Sequence, residues 1–240
     1  MDYKNIYKIS VIIPTYNEAD NLPILVKSIF EQSINNLSLI IIDDASPDGT
    51  AKIINQLSKQ FPGKIELIQR KKKLGIGSAY KLGYAYAIKS KADIAVQMDA
   101  DLSHSPKYLR EFLNQLDNSD IVIGSRYIDG GKVDKNWNLT RKIISKSGAT
   151  AIRLITGLNV KDSTSGFKAF KINVIKSLNF DEIKCNGFGF QAEMIHACMR
   201  KGYSIKEYPI CFNNRNHGKS KMSLHIILEA IKYLTLIRFK

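Results

Sequence analysis

Two aspartates follow an apolar segment near the middle of the chain. The segment Ile94–Val96 predicts a buried strand, and Asp99 and Asp101 come shortly after it. Because side chains two residues apart on a strand share a face, these carboxylates are expected to lie side by side where the strand ends. Neighbouring carboxylates repel each other unless a cation lies between them, and hard oxygen ligands suit Mg²⁺ or Mn²⁺. The segment therefore predicts a divalent-metal site completed by substrate phosphates; an acidic loop without a ligand is the alternative.

Strands and helices alternate through the first half of the chain. Apolar runs predict strands at 8–14, 39–42, 64–69, 92–98 and 121–123, with helices between them at 21–30, 50–57, 77–89 and 106–116. This alternation favours an α/β fold whose Rossmann-like sheet is mostly parallel and covered by helices on both faces. Ligands of such sheets bind outside the carboxyl ends of the strands. Three of these ends carry acidic or turn residues that we expect to meet at one edge of the sheet: Pro14–Glu18, Asp43–Asp44 and Asp99–Asp101.

The second half of the chain is less regular. A loop over 129–138 precedes a helix at about 141–155, and later segments predict strands at 166–170 and 204–211, a helix at 191–200 and an apolar helix at 223–239. No repeat, linker or low-complexity segment separates one part from another. We therefore expect one domain over residues 1–240.

The chain is strongly basic. Its 36 lysines and arginines outnumber its 22 acidic residues, which gives a net charge of +14. Such a surface favours anionic partners, namely phosphorylated ligands, an acidic membrane surface or nucleic acid. Nucleic acid is disfavoured because no DNA- or RNA-binding motif is present and because aromatic and basic residues do not alternate. The densest basic run, Arg70–Lys73, is typical of a solvated face.

Other features limit the compartment and the class of enzyme. The N-terminus does not resemble a signal peptide, no apolar run approaches the length of a membrane span, about 18 residues, and the cysteines lack a Cys-x-x-Cys spacing. These features predict a cytoplasmic protein without a transmembrane segment. The segment Gly75–Tyr80 fails as a dinucleotide motif because Tyr80 replaces the third glycine, and neither a P-loop nor a G-x-S-x-G elbow occurs.

A set of motifs in colinear order resembles one family. They cover nearly the whole chain: Val11–Glu18, Asp43–Thr50, Lys73–Tyr80, Met98–Ser105, Ser125–Tyr127, Trp137–Ser145, Asp162–Phe167, Phe190–Met194 and Arg215–Lys221. Together they resemble the dolichyl-phosphate (polyprenyl-phosphate) mannosyltransferases, inverting family 2 glycosyltransferases with the GT-A fold. The resemblance implies transfer of mannose from GDP-mannose to a dolichyl or polyprenyl phosphate. It also implies a nucleotide-sugar-binding half at about 8–125, a small acceptor-side extension at about 126–222 and a C-terminal apolar helix at 223–240.

The resemblance also assigns roles to residues of this chain. It implies that the nucleotide sugar is bound by Pro14, Tyr16, Glu18, Ile42, Asp44, Asp99, Ala100, Asp101, Arg126, Arg215 and Lys221. It implies catalytic roles for Asp99, Asp101 and Arg215, and a Mg²⁺ or Mn²⁺ ion on Asp99, Asp101 and Ser103. Some relatives have glutamine where this chain has Ser103, whose hydroxyl is a weaker ligand. A general base is not expected, because a phosphate monoester with a second pKa of about 6 is already largely dianionic at neutral pH. Asp99 is the nearest candidate by position.

Two questions stay open at this level. The same fold and acceptor can serve another donor such as UDP-glucose, and a non-catalytic scaffold is a further alternative. The lipid acceptor implies peripheral contact with the cytoplasmic face of a membrane. The helix at 223–239 can provide this contact as an amphipathic interfacial helix, or it can pack on the sheet while a membrane-anchoring partner subunit provides it.

Overall fold

A seven-stranded sheet forms the centre of the part of the chain that the structure describes. The structure is a computed structural model and describes residues 7–187, 189–214 and 233–235. The sheet has the order β3-β2-β1-β4-β7-β5-β8. Its strands are β1 (Ile9–Thr15), β2 (Leu37–Asp43), β3 (Ile65–Gln69), β4 (Ile94–Gln97), β5 (Ile121–Ser125), β7 (Lys168–Lys171) and β8 (Ile205–Pro209). Two short strands, β6 (Lys132–Val133) and β9 (Cys211–Phe212), form a second sheet.

Parallel pairing in the first half follows from its chain order. β2 and β4 flank β1, and β3 pairs with the outer side of β2, all in parallel. Parallel strands are buried on both faces, and β1 and β2 are accordingly rich in isoleucine, leucine and valine. The predicted α/β fold with a mostly parallel sheet is confirmed.

Two layers of helices cover the sheet, as predicted. One face carries α1 (Leu22–Phe30), α2 (Thr50–Gln60) and α4 (Leu109–Gln115), which pack with residues such as Val11 and Ile13. The other face carries α3 (Ile76–Lys89), α6 (Ile172–Ser177) and α7 (Gly189–Arg200), which pack with Ile12 and Ile42. Since alternate residues of β1 belong to opposite layers, this one strand anchors both cores.

β7 is an exception to the parallel order. It pairs antiparallel with β4 and with β5, and Lys168 at its start lies opposite Gln97 at the end of β4. A strand in this direction must begin at the edge where β1, β2 and β4 end. The loop that precedes it, residues 162–167, is thereby held at that edge.

Several element boundaries differ from the prediction. The predicted strand 204–211 is interrupted at Ile210, whose N–H donates to Ser125 in the main sheet while its carbonyl accepts from Lys132 in the small sheet. The predicted loop 129–138 contains β6, and α6 was not predicted because six residues are too few for a periodic pattern. The predicted helix 106–116 begins as a 3₁₀ turn over Pro106–Tyr108 before α4.

The predicted helix at 141–155 is α5 (Leu139–Thr156), and most of it is exposed. Of the predicted helix at 223–239, the structure describes Tyr233–Thr235, which are helical. Leu234 is buried in the layer that contains α3 and α7, so this turn packs on the protein. Within the described ranges, no helix combines the length and the hydropathy that crossing a membrane requires.

Candidate functional site

The three segments that were expected to meet do so at the carboxyl edge of the sheet. Thr15 at the end of β1 is the register partner of Asp43 at the end of β2, and the Asp44 N–H donates to the Thr15 carbonyl over 3.0 Å. β4 flanks β1 on its other side, and the chain after it carries Asp99 and Asp101. Parallel strands bring their carboxyl ends together, so residues far apart in sequence become neighbours.

Asp43 has a structural role at this edge. Its buried carboxylate accepts from the Thr15 hydroxyl over 3.1 Å, and from the N–H and hydroxyl of Ser46 over 3.1 and 2.5 Å. The Ser46 hydroxyl accepts in turn from the Asn17 N–H over 3.0 Å. One buried acid thus ties the loop after β1 to the loop after β2.

A buried ion pair joins Asp44 to Arg70. The guanidinium donates from Nε to Asp44 Oδ1, with which Nη2 also forms an ion pair. Its Nη1 donates to the Ser78 hydroxyl over 2.7 Å, and Nη2 donates to the Gly75 carbonyl over 3.2 Å. The Leu74 N–H donates to Asp44 Oδ2 over 3.1 Å. Arg70 is only 9% exposed, so the prediction that the basic run at 70–73 is a solvated face is wrong for its first residue. This pair holds the segment after β3 against the end of β2.

Lys73 and Tyr16 lie at the opening of the site. The Lys73 Nζ is 4.0 Å from the centroid of the Tyr16 ring, a cation–π contact that joins two loops. Tyr16 and Pro14 are partly exposed. Ile42 and Ala100 are buried, Ile42 in the layer of α3 and Ala100 in the layer of α4. The structure therefore does not bring these two predicted side chains into the site, because the apolar layers enclose them.

Glu18 is held by residues at the starts of α1 and α2. Its carboxylate accepts from Asn21 Nδ2 over 2.7 Å, and its N–H donates to the Thr50 hydroxyl over 3.0 Å. Asp48 accepts from the N–H and hydroxyl of Thr50 and from the Ala19 N–H. Burial raises the pKa of the Asp48 carboxyl, but these hydrogen bonds outweigh burial and keep its pKa below the usual value. Asp48 is therefore an ionised turn residue that shapes the backbone around Glu18.

Asp99 is fixed by three neighbours. The Tyr80 hydroxyl donates to its Oδ1 over 3.1 Å, and the Asp99 N–H donates to His104 Nδ1 over 3.2 Å. A Cβ atom on Gly166 would lie 2.8 Å from both carboxylate oxygens, so the close approach of this backbone requires glycine. Burial lowers the pKa of the His104 imidazole, which therefore stays neutral and accepts at Nδ1. The orientation of the Asp99 carboxylate is thus set from several sides.

Asp101 lies in a turn after Asp99. β4 ends at Gln97, so both acids follow the strand and the strand argument for their orientation does not apply. Leu102 adopts a left-handed φ of 65°, and the Ser103 N–H donates to Asp101 Oδ1 over 3.1 Å. A tight turn, not the pleat of a strand, therefore sets the direction of Asp101.

The oxygen atoms at this turn fit a hard divalent cation. Asp99 and Asp101 are accompanied by the Ser103 hydroxyl, which is buried and has no hydrogen-bond partner among the residues that the structure describes. A buried hydroxyl without a partner is costly, and a cation or its bound water would satisfy it. Three or more His, Cys, Asp or Glu side chains do not cluster as a metal site anywhere in the described ranges. Mg²⁺ is typically held by one or two carboxylates together with water and substrate phosphates.

Arg126 follows β5 on the far side of the acid pair. Its Nε and Nη2 donate to the two oxygens of the buried Asp162 over 2.7 and 2.6 Å, and Nη2 donates to the Thr164 hydroxyl over 3.0 Å. Burial lowers the pKa of the guanidinium, but Asp162 outweighs burial and holds the pKa above its ordinary value. The rings of Tyr127 and Phe212 lie 5.0 and 5.2 Å from the guanidinium carbon. A permanent positive charge is thereby held in a fixed place.

The chain returns to the acid turn just before Arg215. The Asn213 N–H donates to the Ser103 carbonyl over 3.0 Å, and the Asn214 N–H donates to the Asp134 carboxylate over 3.1 Å. Arg215 and Lys221 themselves lie outside the described residues. Their assigned roles stay predictions.

Three residues that hold the site together were not assigned this role from sequence, namely Arg70, Tyr80 and Asp162. Arg70 follows directly on β3, and its place at the carboxyl end of a predicted strand is the signal that could have separated it from the lysines after it. Tyr80 and Asp162 lie within the motifs of the resemblance, but their partners become visible only when the strands are assembled.

A mostly parallel α/β sheet with an acid pair at its carboxyl edge and fixed cations beside it defines a nucleotide-binding transferase of the GT-A type. The sequence model of Glycosyl transferase family 2 matches residues 10–178. The chain belongs to this family.

Curated relatives match almost the whole chain. The undecaprenyl-phosphate mannosyltransferase of Micrococcus luteus is 37% identical over 228 residues, 95% of this chain and 93% of the relative. The polyprenol monophosphomannose synthase of Mycolicibacterium smegmatis is 36% identical over 222 residues, 92% of this chain and 83% of the relative. Both names refer to mannose and a polyprenol carrier.

A solved structure shares the fold. The mannosyltransferase PcManGT from Pyrobaculum calidifontis, in complex with GDP-Man and Mn²⁺, matches with a TM-score of 0.62 and 18% identity. The match covers 91% of this chain and 60% of the PcManGT chain. At this identity the likeness establishes the fold alone.

Proposed function

We propose that the protein transfers mannose from GDP-mannose to a polyprenyl phosphate of the dolichyl type, with inversion at the sugar. The observation that carries this proposal is the position of Asp99 and Asp101. They follow β4, between the ends of β1 and β2 on one side and Arg126 after β5 on the other. The names of the two curated relatives support mannose as the sugar and a polyprenyl phosphate as the acceptor.

The nucleoside of the donor is proposed to lie over the ends of β1 and β2. Glu18 and Asp44 offer carboxylate oxygens to base N–H groups and ribose hydroxyls, and Tyr16 offers an aromatic face beside Lys73. An ionised carboxylate can accept about four hydrogen bonds. Asp44 therefore keeps accepting capacity beyond its bonds to Arg70 and to one backbone N–H.

The diphosphate is proposed to lie at the acid turn. Asp99, Asp101 and the Ser103 hydroxyl would hold Mg²⁺ or Mn²⁺, and the choice of a divalent ion agrees with the Mn²⁺ and GDP-Man of the solved mannosyltransferase that shares the fold. When bound there, the ion supplies Lewis-acid stabilisation of the negative charge that grows on the leaving diphosphate. Arg215 and Lys221, which lie outside the described residues, are proposed to add positive charge to the diphosphate.

The acceptor phosphate is proposed to bind on the side of Arg126. A planar guanidinium is suited to phosphate, and its bidentate bonds to Asp162 fix its orientation before substrate binds. The acceptor oxygen attacks the sugar carbon from the face opposite to the diphosphate, so the configuration inverts. The phosphate dianion needs little help from a general base, which agrees with the lack of an assigned one.

The lipid tail of the acceptor requires contact with a membrane surface, and we propose α5 for this contact. Four large apolar side chains of α5 are 57–72% exposed, namely Leu139, Ile143, Ile144 and Leu154. The basic residues Arg141 and Lys146 are exposed on the same helix. A helix of this composition suits the interface of an anionic bilayer. The Tyr127 hydroxyl bonds the Ser145 hydroxyl over 2.6 Å, which joins α5 to the residue after Arg126. The helix at 223–239 lies mostly outside the described residues, and its buried Leu234 favours packing on the sheet.

A binding comparison tests the donor. Isothermal titration with GDP-mannose, UDP-glucose and UDP-GlcNAc, each with Mn²⁺, should show the tightest binding for GDP-mannose. Preferential binding of UDP-glucose would replace the proposed donor while keeping the fold and the acceptor. Binding of none of the three would favour a non-catalytic scaffold.

A further inference from the structure

A lysine is buried directly behind the acid pair. Lys168 is the first residue of β7 and has no exposed surface. Its Nζ donates to the Ser165 carbonyl and, over 2.7 Å, to Oε1 of Gln191 on α7. Gln97, its register partner on β4, donates to the same Gln191 oxygen over 2.6 Å and to the Gly166 carbonyl over 3.2 Å. We call these three side chains the Gln97–Lys168–Gln191 network.

The network holds the 162–167 loop, which contacts both Arg126 and Asp99. Asp162, at one end of the 162–167 loop, binds the Arg126 guanidinium. Gly166, near the other end, lies against the Asp99 carboxylate so closely that a side chain would clash. The two backbone carbonyls that the network binds are consecutive residues of this loop. A shift of the loop would therefore change the distance between Arg126 and Asp99.

A lysine in this place is not explained by stability. Burial lowers the pKa of Lys168 to about 7, which means that its charged form is disfavoured in the fold. Buried polar and charged groups of this kind are often replaced by apolar residues without loss of stability. Phe170, on the same face of β7, lies in the apolar core with Phe190 and Ala192, whereas the charges of Asp162, Asp99 and Arg126 act on the lysine itself. The polar network therefore points to a requirement other than packing.

We propose that Lys168 is a positioning residue, which fixes the 162–167 loop to α7 and thereby sets the separation of Arg126 and Asp99 during transfer. The proposal rests on the proposed function, in which Arg126 serves the acceptor and Asp99 the donor. A displacement of about 1 Å between reacting groups can lower a rate by about 10²-fold without preventing binding. Loss of the network should therefore lower kcat far more than it weakens donor binding.

The test uses Lys168→Met, which keeps the length of the side chain and removes its donor, with Lys171→Met as control. Lys171 lies on the same strand but is partly exposed and pairs with Asp120 away from the site. Lys168→Met should lower kcat about tenfold or more, change GDP-mannose affinity less than about threefold and keep or raise the unfolding temperature. Lys171→Met should match the wild type in kcat, in GDP-mannose affinity and in unfolding temperature.

Two further variants keep the test decisive if Lys168→Met does not fold. Gln191→Leu removes the shared acceptor and should lower kcat similarly, whereas Gln191→Glu keeps an acceptor oxygen and should retain most of the activity. The proposal is overturned if Gln191→Leu or Lys168→Met keeps kcat within about twofold of the wild type, or if Gln191→Glu is as impaired as Gln191→Leu.

Hydrogen–deuterium exchange of the 163–167 amides separates this inference from the proposed function. Loss of the network should speed their exchange whichever donor the protein uses. If the wild type transfers no mannose but exchange still rises in the variants, the proposed function fails and the role of Lys168 in holding the loop stands. Unchanged exchange in an impaired variant would overturn that role.

Discussion

The Tyr80 hydroxyl donates a 3.1 Å hydrogen bond to Oδ1 of Asp99 from a ring that has no exposed surface. Burial, and then the charges of Asp99 and Asp101, raise the pKa of this phenol well above its ordinary value. The phenol therefore remains a proton donor throughout the working pH range. Asp99 is thus oriented by a hydroxyl on the buried face of α3.

Removal of this hydroxyl should impair catalysis more than stability. Without this bond the Asp99 carboxylate can move, and a displacement of about 1 Å can lower a rate by about 10²-fold, so Tyr80→Phe should lower kcat/KM about tenfold or more. Tyr86→Phe is the control, because Tyr86 lies on the same helix but is partly exposed, with the Lys89 ammonium over its ring. Steady-state kinetics and thermal unfolding of both variants make the comparison. Equal kinetic losses in the two would show that the Tyr80 bond has no special role.

Turnover should depend on a divalent ion held by Asp101. Asp101→Asn keeps the shape of the side chain but removes its charge, and should lower kcat by about 10²-fold. Asp117→Asn, a change to an exposed acid after α4, is the control and should leave turnover unchanged. EDTA should abolish turnover, and added Mg²⁺ or Mn²⁺ should restore it. Full turnover in EDTA would contradict the metal assignment.

Stability should depend on pH through Lys168. The charges facing it are those of Asp162, Asp99 and Arg126, with the Cys198 thiol nearby, and burial is the largest influence, lowering its pKa to about 7. The ordinary lysine pKa is about 10.4. Between these values the unfolded chain binds a proton that the folded chain does not. The free energy of unfolding should therefore rise with pH over this range, by up to about 1.4 kcal/mol per pH unit.

Lys168→Met should remove this contribution. Urea unfolding at pH 7, 8 and 9 would measure the slope for the wild type and the variant. Below pH 7 the two slopes should converge, because both states then hold the proton. Identical slopes between pH 7 and 9 would mean that Lys168 stays charged in the fold.

Membrane association should depend on α5. Replacing Ile143 and Ile144 by aspartate removes exposed apolar surface and adds repulsion, and should reduce flotation with anionic liposomes. Ile24→Asp is the control, since Ile24 is comparably exposed, 51%, on α1. Each basic residue near an anionic surface contributes about 1 kcal/mol, and salt weakens that attraction. Wild-type flotation should therefore fall with rising salt; unaltered flotation of the double variant would exclude α5 as the contact.

Local sequence patterns predicted the helices and strands better than they predicted how the strands pair. The parallel core was predictable because single helices separate the consecutive strands β1, β2, β3 and β4, and the meeting of the acidic ends followed from this topology. The direction of β7 was not, because four residues carry no periodicity that reveals strand direction. The direction follows from the position of the 162–167 loop, which is a tertiary feature.

The ion pairs of the site were the hardest feature to predict. Arg70 stands in the same basic run as exposed lysines, and its partner Asp44 lies 26 positions away. Arg126 and Asp162 are separated by 36 positions, so neither pairing has a local signature. The exposed apolar residues of α5 share the helical spacing of a core-facing helix, and the assembled structure distinguishes the two.

Analysis of the reaction product measures directly whether mannose is transferred to a polyprenyl phosphate with inversion. The protein would be incubated with GDP-mannose, Mg²⁺ and a short polyprenyl phosphate, and the anomeric configuration of the product would be determined by NMR. We expect β-linked mannosyl phosphate on the polyprenol and no product from unphosphorylated polyprenol. An α-linked product, or equal transfer to the alcohol, would contradict it.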